Sequence, residues 1–408
     1  MSSADPRPLP GGLVLRPSTP ADLDQVGALL AERGEPDDAV DHRLVVEDPD
    51  AGYGSCAVVV DGDRVVSTAL LLDEQVRVGR GDAAVTLPAG QVELVATDTA
   101  YEGRGLVREL MDWAHLRSEE RGHLLGVMIG IPYFYRRFGY EYAIDIPPAP
   151  ALTGVPEAPG TGTLRPATAD DLPAIVVLQD AVQAAADVAV PHSTPRWRWL
   201  LARDGTTVWV VERDGEVVAT GRATDPDEGV LLAEAAAADP DAAADLVAAL
   251  AVTAGEDGLQ VQQRRGHVDD VCAPWYDDED RTAEQYYVRL PDVPAVLDAL
   301  SPLLTARHLA TGAEGRDLVI STFSRHYRLP WTGDGFGPTQ VGGAMQAPGV
   351  AGGLGCAPDW LPSLLLGPLG LAGLKRLRPD VYPGRDAAWL EALFPPLSSD
   401  LLMFYLPY

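Results

Sequence analysis

The chain has 408 residues, of which 60 are acidic and 31 basic, giving a formal net charge of −29 with 46% hydrophobic content. That much apolar material specifies a folded chain, and the length implies two or three domains. The negative surplus argues against duplex nucleic acid and anionic membrane surfaces as partners, and it favours cationic substrates such as amines.

Met1 to Pro10 is polar and proline-rich, with no positively charged start leading into an apolar run. No secretion signal is expected there, and no stretch of about 18 apolar residues predicts a membrane helix. The expected location is the cytoplasm, with reduced thiols. Leu13 to Pro17 reads as a short strand, and the Ser-Thr-Pro-Ala-Asp-Leu that follows opens a capped helix with Leu23, Val26, Leu29 and Leu30 on its apolar side. Cys56–Val60 and Val65–Leu72, joined by Asp61-Gly62-Asp63, form a hairpin.

Val92 to Thr97 alternates as a strand, then passes through Gly103 and Gly105 into a helix with Val107, Leu110, Met111, Ala114 and Leu116 at helical spacing. A strand feeding a glycine-rich turn feeding a helix is an anion-binding geometry, because exposed amides and the positive end of the helix dipole face the ligand. The glycines let the backbone approach a pyrophosphate with no Cβ in the way. Leu124 to Ile129 reads as a buried parallel strand, and an aromatic strip from Pro132 to Glu141 follows it directly.

A Pro/Gly-rich linker spans Ile146–Pro150 and Gly154–Gly162. After it the same order of elements recurs: a strand at Thr163–Pro166, a helix with Ile175, Val176 and Leu178, and a hairpin of Val208–Glu212 with Val217–Gly221. A repeat at a spacing near 150 residues predicts a duplicated domain, the alternative being two unrelated α/β units that share an opening. Trp197 and Trp199 predict a helix packed on the second sheet, and the Ala/Asp-rich Ala233–Ala251 predicts another helix. Ala235 to Asp245 has no glycine, so the second copy is expected to bind no cofactor.

The last 120 residues or so read as a separate α+β unit. They hold a strand at Tyr286–Leu290, a helix at Val293–Ala306, a strand at Asp317–Ser321, loops over Pro330–Gly355 and a broken helix over Trp360–Leu377. The resulting division is 1–150, 151–285 and 286–408. Asp277 to Asp280 reads as a solvated loop. Cys56, Cys272 and Cys356 support neither a disulfide framework nor a metal site, and the scattered histidines add no ligand spacing, so no metal is expected. Leu401 to Tyr408 is apolar to its last residue, which predicts a packed tail or a final strand completing the last unit.

Glu102-Gly103-Arg104-Gly105-Leu106-Val107 between strand and helix, with Phe134-Tyr135-Arg136-Arg137-Phe138-Gly139-Tyr140 after the next strand, resembles the acetyl-CoA core of the GNAT N-acetyltransferases. The layout resembles the Eis-like branch: an α/β (α+β) chain of two tandem GNAT folds with mixed sheets plus a C-terminal sterol-carrier-protein-like domain. This resemblance implies an acetyl-CoA-dependent N-acetyltransferase working by direct transfer on an aminoglycoside-, polyamine- or lysine-like amine. Val95, Ala96 and Thr97 would lend backbone groups to the pantetheine arm, and Glu102, Gly103, Arg104, Gly105, Leu106 and Val107 would wrap the pyrophosphate. Tyr135 would protonate the departing thiolate, its phenol near pKa 10 suiting a thiol near about 8.5. The terminal carboxylate of Tyr408 would be the general base, with Glu93 a second candidate. The resemblance also implies hexamers built from trimers.

Two residues depart from the family pattern. Glu102 is an anion beside an anionic ligand, with Arg104 expected to offset it, and Val107 ends the loop where a smaller residue is usual. The other readings are a binding or scaffold protein that kept the fold, which Glu102 favours, and a lipid carrier working through the last domain.

Overall fold

In a computed structural model, residues 2–225, 229–277 and 284–403 are described; they form a mixed α/β structure of three sheets. The chain opens with β1 (Arg7–Pro8) and β2 (Val14–Pro17), the helices α1 (Leu23–Arg33) and α2 (Pro36–Val46), and the hairpin β3 (Cys56–Asp61) and β4 (Arg64–Val78). Next come β5 (Val85–Thr97), α3 (Leu106–Glu120), β6 (Leu125–Met128) and β7 (Glu141–Ile146). The second round supplies β8 (Thr163–Pro166), α4 (Leu172–Gln183), β9 (Val188–Val190), α5 (Thr194–Ala202), β10 (Thr206–Arg213) and β11 (Glu216–Thr224). It continues through β12 (Val230–Ala237), α6 (Pro240–Ala254), β13 (Leu259–Val261), α7 (His267–Cys272) and β14 (Glu284–Arg289). The remainder holds α8 (Val293–Ala310), β15 (Leu318–Ser321), β16 (His326–Leu329), β17 (Gln340–Gly342), β18 (Leu354–Cys356), α9 (Leu361–Leu366), α10 (Gly370–Leu377), β19 (Val381–Tyr382), α11 (Ala387–Leu393) and β20 (Ser399–Leu401). Among the described residues no helix is long and apolar enough to cross a membrane.

The two rounds share local chemistry as well as order. Arg16 donates to both oxygens of Asp22, at 2.7 and 2.8 Å, while the Thr19 amide and hydroxyl donate to the same carboxylate at 2.8 and 2.7 Å. Arg165, Thr168 and Asp171 repeat that arrangement, again between 2.7 and 3.0 Å. These charge-assisted bonds fix the angle between a strand and the helix it feeds. A second shared feature lies deeper. Thr68 pairs with Ala96 but Leu70 pairs with Glu93, so β5 bulges at Leu94, whose φ is +49°. Thr220 pairs with Ala236 but Arg222 with Ala233, and Glu234 at that bulge has φ +55°.

The first sheet runs β1-β2-β3-β4-β5-β6-β14-β7, the second β13-β12-β11-β10-β8 and the third β17-β16-β15-β18-β19. Three sequence expectations change here. The strand expected to open the last unit is β14, which lies in the first sheet, antiparallel to β6 (Tyr287 opposite Met128) and β7 (Tyr286 opposite Ile144). Its run of buried side chains identifies a strand, but periodicity does not name the partners. Ala233 to Ala237 is strand rather than helix, because burial in the sheet overrides alanine's helix preference. The tail strand β20 completes no third sheet; it lies parallel to β9, with Ser399 opposite Val188 and Leu401 opposite Val190.

Three cores border the first sheet: one joins its Leu87, Leu125 and Ile144 to α8 and the last sheet, and two lie at the end where β5 runs past β6. On one face, α3 packs Leu106, Leu110 and Met111 against Val92, Met128 and Tyr135. On the other, α1 and α2 share a cluster with Trp197 of α5, Leu94 and Ala96 of β5, and Leu402 of the tail. The tryptophans of α5 are packed as expected. The broken helix interrupts at Gly367, but its first half, α9, packs on β7 of the first sheet, Ser363 Oγ donating to the Tyr142 carbonyl at 2.6 Å, while α10 reaches the last sheet at β19.

Candidate active site

β5 and β6 pair only over Ala89–Gln91 and Leu125–Val127, after which β6 ends and β5 runs on to Thr97. The edge of β5 from Val92 onward therefore faces a wedge with no neighbouring strand from β6. Amides and carbonyls on such an edge need partners, and the bulge at Leu94 turns the backbone at its deepest point. A ligand arm with its own amides fits this edge as an added strand would.

The wedge opens onto the glycine turn. Gly103 (φ +74°) and Gly105 (φ +81°) take up backbone that favours glycine, and a Cβ at either would meet nothing within 4 Å. Gly105 is the N-cap of α3 and offers no side-chain cap. Although Arg108 N donates to the Gly105 carbonyl at 3.0 Å, the Leu106 and Val107 amides therefore have no partner inside the helix. These amides border a cavity of about 380 Å³ that holds Thr97, Glu102, Gly103, Gly105, Leu106 and Val107 of the expected cofactor residues. Val95 and Ala96 lie on β5, and Arg104 turns back to donate to the Ala100 carbonyl at 3.2 Å, its guanidinium 4.5 Å from the Tyr101 ring centroid.

In a chain of net charge −29 this cavity is locally cationic. Arg108 lies 5.7 Å over Phe138 and Arg137 lies 5.5 Å over Phe134, each guanidinium held on an aromatic face beside the cavity. Glu102 is paired with Arg33 of α1 at 2.5 Å, so Arg33, and not Arg104, offsets its charge. Sequence reading missed Arg33 because the pair joins residues far apart in the chain.

Tyr135 sits in the 3-10 turn Phe134–Phe138 and is 7% exposed. A Cβ on Gly130 would come 2.4 Å from its ring, so that position requires glycine to let the ring close over the end of β6. Burial pushes the phenol up to about 12, and the Glu93 charge pushes in the same direction. The value near 10 assumed from sequence is thus corrected, since the ring is desolvated and faces an anion. Glu93, also 7% exposed, is pushed up to about 7 by burial. A hydrogen bond from Gln91 and the charge of Arg196 oppose the rise, while Glu74 and Asp38 add to it. Gln91 Nε2 donates to Glu93 Oε1, and the Tyr286 hydroxyl donates to Gln91 Oε1 at 2.6 Å. Alternation along β5 could have flagged Gln91 beside Glu93; no local signal announced Tyr286.

Tyr408 lies outside the described residues. The tail is anchored up to Met403: Leu402 N donates to the Val190 carbonyl at 2.9 Å, and Arg222 Nη2 donates to the Met403 carbonyl at 2.5 Å. In the second round the matching places are filled by its own side chains. Asp239 caps α6 by accepting from Ala242 N at 2.8 Å, and the Glu234 amide at the bulge donates to Gln262 Oε1 at 3.1 Å.

Residues 15–143 match the family described as Acetyltransferase (GNAT) domain. No curated protein matches the chain in sequence. In fold it is similar to a GCN5-related N-acetyltransferase from Anabaena variabilis ATCC 29413, with TM-score 0.68 and 14% identity over 95% of this chain and 99% of that one. It is similar also to a GCN5-related N-acetyltransferase from Kribbella flavida, with TM-score 0.64 and 20% identity over 96% and 100% of the two chains. Eis1 from Mycobacterium abscessus gives TM-score 0.61 and 16% identity over 95% and 99%. At these identities the solved structures speak for the fold alone. The stretch 15–143 is an acetyltransferase domain of the GNAT type, and by that domain the chain is an enzyme of the N-acetyltransferase class.

Proposed function

We propose that the chain moves an acetyl group from acetyl-CoA directly to the amine of a cationic acceptor. The observation that carries this reading is the uncapped start of α3, open beside Gly103 and Gly105 and flanked by Arg108 and Arg137. Acetyl-CoA would supply an activated thioester there. The Leu106 and Val107 amides and the two guanidiniums suit its diphosphate, and the edge from Val95 to Thr97 suits the amides of its pantetheine arm.

Glu93 is the base within the described residues, and at about 7 it is ready to take a proton from an ammonium near neutral pH. Tyr135 is the acid for the leaving sulfur. At about 12 it lies above a free thiol's roughly 8.5, so it acts first by donating a hydrogen bond to the growing charge. Once Glu93 is protonated its charge no longer raises the phenol, which makes Tyr135 a stronger acid at the moment the sulfur needs one. The terminal carboxylate of Tyr408 is the alternative base that the resemblance implies.

Glu93, Glu74 and Asp38 on the acceptor side, in a chain of this net charge, favour a polyamine-, aminoglycoside- or lysine-like acceptor. The repeated Arg-Thr-Asp arrangement and bulge support 151–285 as a second, cofactor-free copy. With it go a sterol-carrier-like last unit and assembly as a hexamer. Purified protein is incubated with acetyl-CoA and an amine panel, with thiol release and calorimetry as readouts. Turnover with at least one amine and measurable cofactor binding are expected; the absence of both thiol release and binding heat would overturn the reading.

A further inference from the structure

We infer that β14 is the positioning element of the site, its successive tyrosines holding Glu93 from one face of the sheet and the Tyr135 turn from the other. Adjacent strand residues point to opposite faces, and Tyr286 and Tyr287 are each 1% exposed. The kinetic part of this inference rests on the acetyl-transfer reading; the rest is structural.

On the first face, the Tyr286 hydroxyl donates to Gln91 Oε1 at 2.6 Å. With its oxygen occupied, the Gln91 amide turns its NH2 toward Glu93 and donates to Oε1. That bond favours the carboxylate over the acid and leaves the other oxygen to receive a proton. The groups facing Glu93 are Gln91 on its own strand, Glu74 of β4 paired with Arg196 of α5, Asp38 of α2, Tyr135 and Tyr286. Of these, Tyr286 alone fixes the amide that touches the carboxylate.

On the second face, the Tyr287 ring stacks on Tyr142 with centroids 4.2 Å apart, and its hydroxyl donates to the Tyr142 oxygen at 2.7 Å. It also lies 3.4 Å from the Ile131 carbonyl. The Tyr142 oxygen accepts in turn from the Tyr133 amide at 3.0 Å. Tyr133 has φ +68°, a backbone that a bulky side chain adopts only when its surroundings hold it there. Two residues on, the Tyr135 ring packs edge-on against Tyr287 at 6.1 Å. The tyrosine pair thus holds the turn in front of the acid and the acid's ring together.

The test uses Tyr→Phe changes, which keep ring volume, with melting curves to confirm folding. Carbon NMR of protein labelled in glutamate side chains follows the Glu93 carboxyl, assigned with Glu93→Gln. Tyr286→Phe is expected to move its titration midpoint upward by roughly half to one pH unit, because the amide is released to flip. Tyr287→Phe is expected to leave that midpoint unmoved, to lower kcat on the order of tenfold and to change the acetyl-CoA KM by less than about twofold. In 3-fluorotyrosine-labelled protein it also shifts or broadens the Tyr135 resonance, and Tyr142→Phe combined with Tyr287→Phe is no worse than either alone. An unmoved Glu93 midpoint in folded Tyr286→Phe overturns the first half. An unchanged Tyr135 resonance in folded Tyr287→Phe overturns the second. If both spectroscopic changes occur but wild type transfers no acetyl group, the acetyl-transfer reading fails and the positioning role stands.

Discussion

Replacing Glu93 with glutamine separates stability from chemistry. The folded state raises this carboxyl from its ordinary 4.5 to about 7, chiefly by burial. Each pH unit corresponds to about 1.4 kcal/mol, so the ionised form costs the fold about 3 kcal/mol. Between pH 4.5 and 7 the folded chain holds a proton that the unfolded chain has lost, and stability therefore falls as pH rises through that window. Above it the full cost is present; at pH 5.5 about 1.4 kcal/mol remains. Glu93→Gln removes the ionisation and retains an oxygen for Gln91 to donate to. It is expected to be more stable than wild type by about 3 kcal/mol at pH 8, and by about half that at pH 5.5. Urea denaturation followed by tryptophan fluorescence at both pH values measures the difference. In the same protein, thiol release should fall on the order of a hundredfold or more, while the wild-type kcat/KM drops below about pH 7. A variant less stable than wild type at pH 8, or equally stabilised at both pH values, would refute the claim that Glu93 is a desolvated carboxylate.

Tyr135→Phe is expected to lower kcat by roughly tenfold to a hundredfold with coenzyme A affinity unchanged in calorimetry; equal loss of both points to packing. Arg33→Ala unmasks Glu102 and should weaken coenzyme A binding several-fold at low salt, with Glu102→Gln restoring it in that background. The melting temperature should barely move, since a pair this exposed contributes about 0.5 kcal/mol. Asp400→Ala leaves Arg264 buried without its carboxylate and should cost about 3–5 kcal/mol in denaturation; an unchanged midpoint would mean the tail strand is not anchored there. Residues appended after Tyr408 should strongly slow acetyl transfer, and an unaffected rate removes the terminal carboxylate from the mechanism.

What sequence conveyed was mostly local. The helix starts at Leu23 and Leu172 follow from Thr and Asp three residues apart, the hairpins from Asp-Gly turns, and the anion site from Gly103 and Gly105 between a strand and a helix. These signals act within a few residues, so a single sequence displays them. Pairing across the chain is a different matter. Arg33 with Glu102, Tyr286 with Gln91 and Met403 with Arg222 depend on how elements come together, and each partner alone looks like an ordinary surface or core residue. The bulges at Leu94 and Glu234 were hidden for a related reason, since neither residue type advertises a positive φ. Ala233–Ala237 misled because alanine's helix preference is weak beside burial between neighbouring strands.

The second round explains its own silence in physical terms. It keeps the strand-to-helix lock and the bulge, yet every feature that would receive a ligand is satisfied internally: Asp239 at the helix start, Gln262 at the bulge amide, and Glu234 held between Arg222 at 2.7 Å and His192 at 3.0 Å. Three of its arginines reach into the rest of the chain. Arg196 pairs with Glu74, Arg198 with Asp48 at 2.8 Å, and Arg264 with Asp400 at 2.6 Å, tying it to the first sheet, to the turn after α2 and to the tail. The two buried pairs, Arg196–Glu74 and Arg264–Asp400, add little net stability over apolar packing, but breaking one is costly, so they fix geometry more than they add strength. Glu74 lies beside Glu93, and β14, which follows this round, enters the first sheet beside β6. A lesion in the second copy should therefore register first as a change in the titration of Glu93, before any loss of fold.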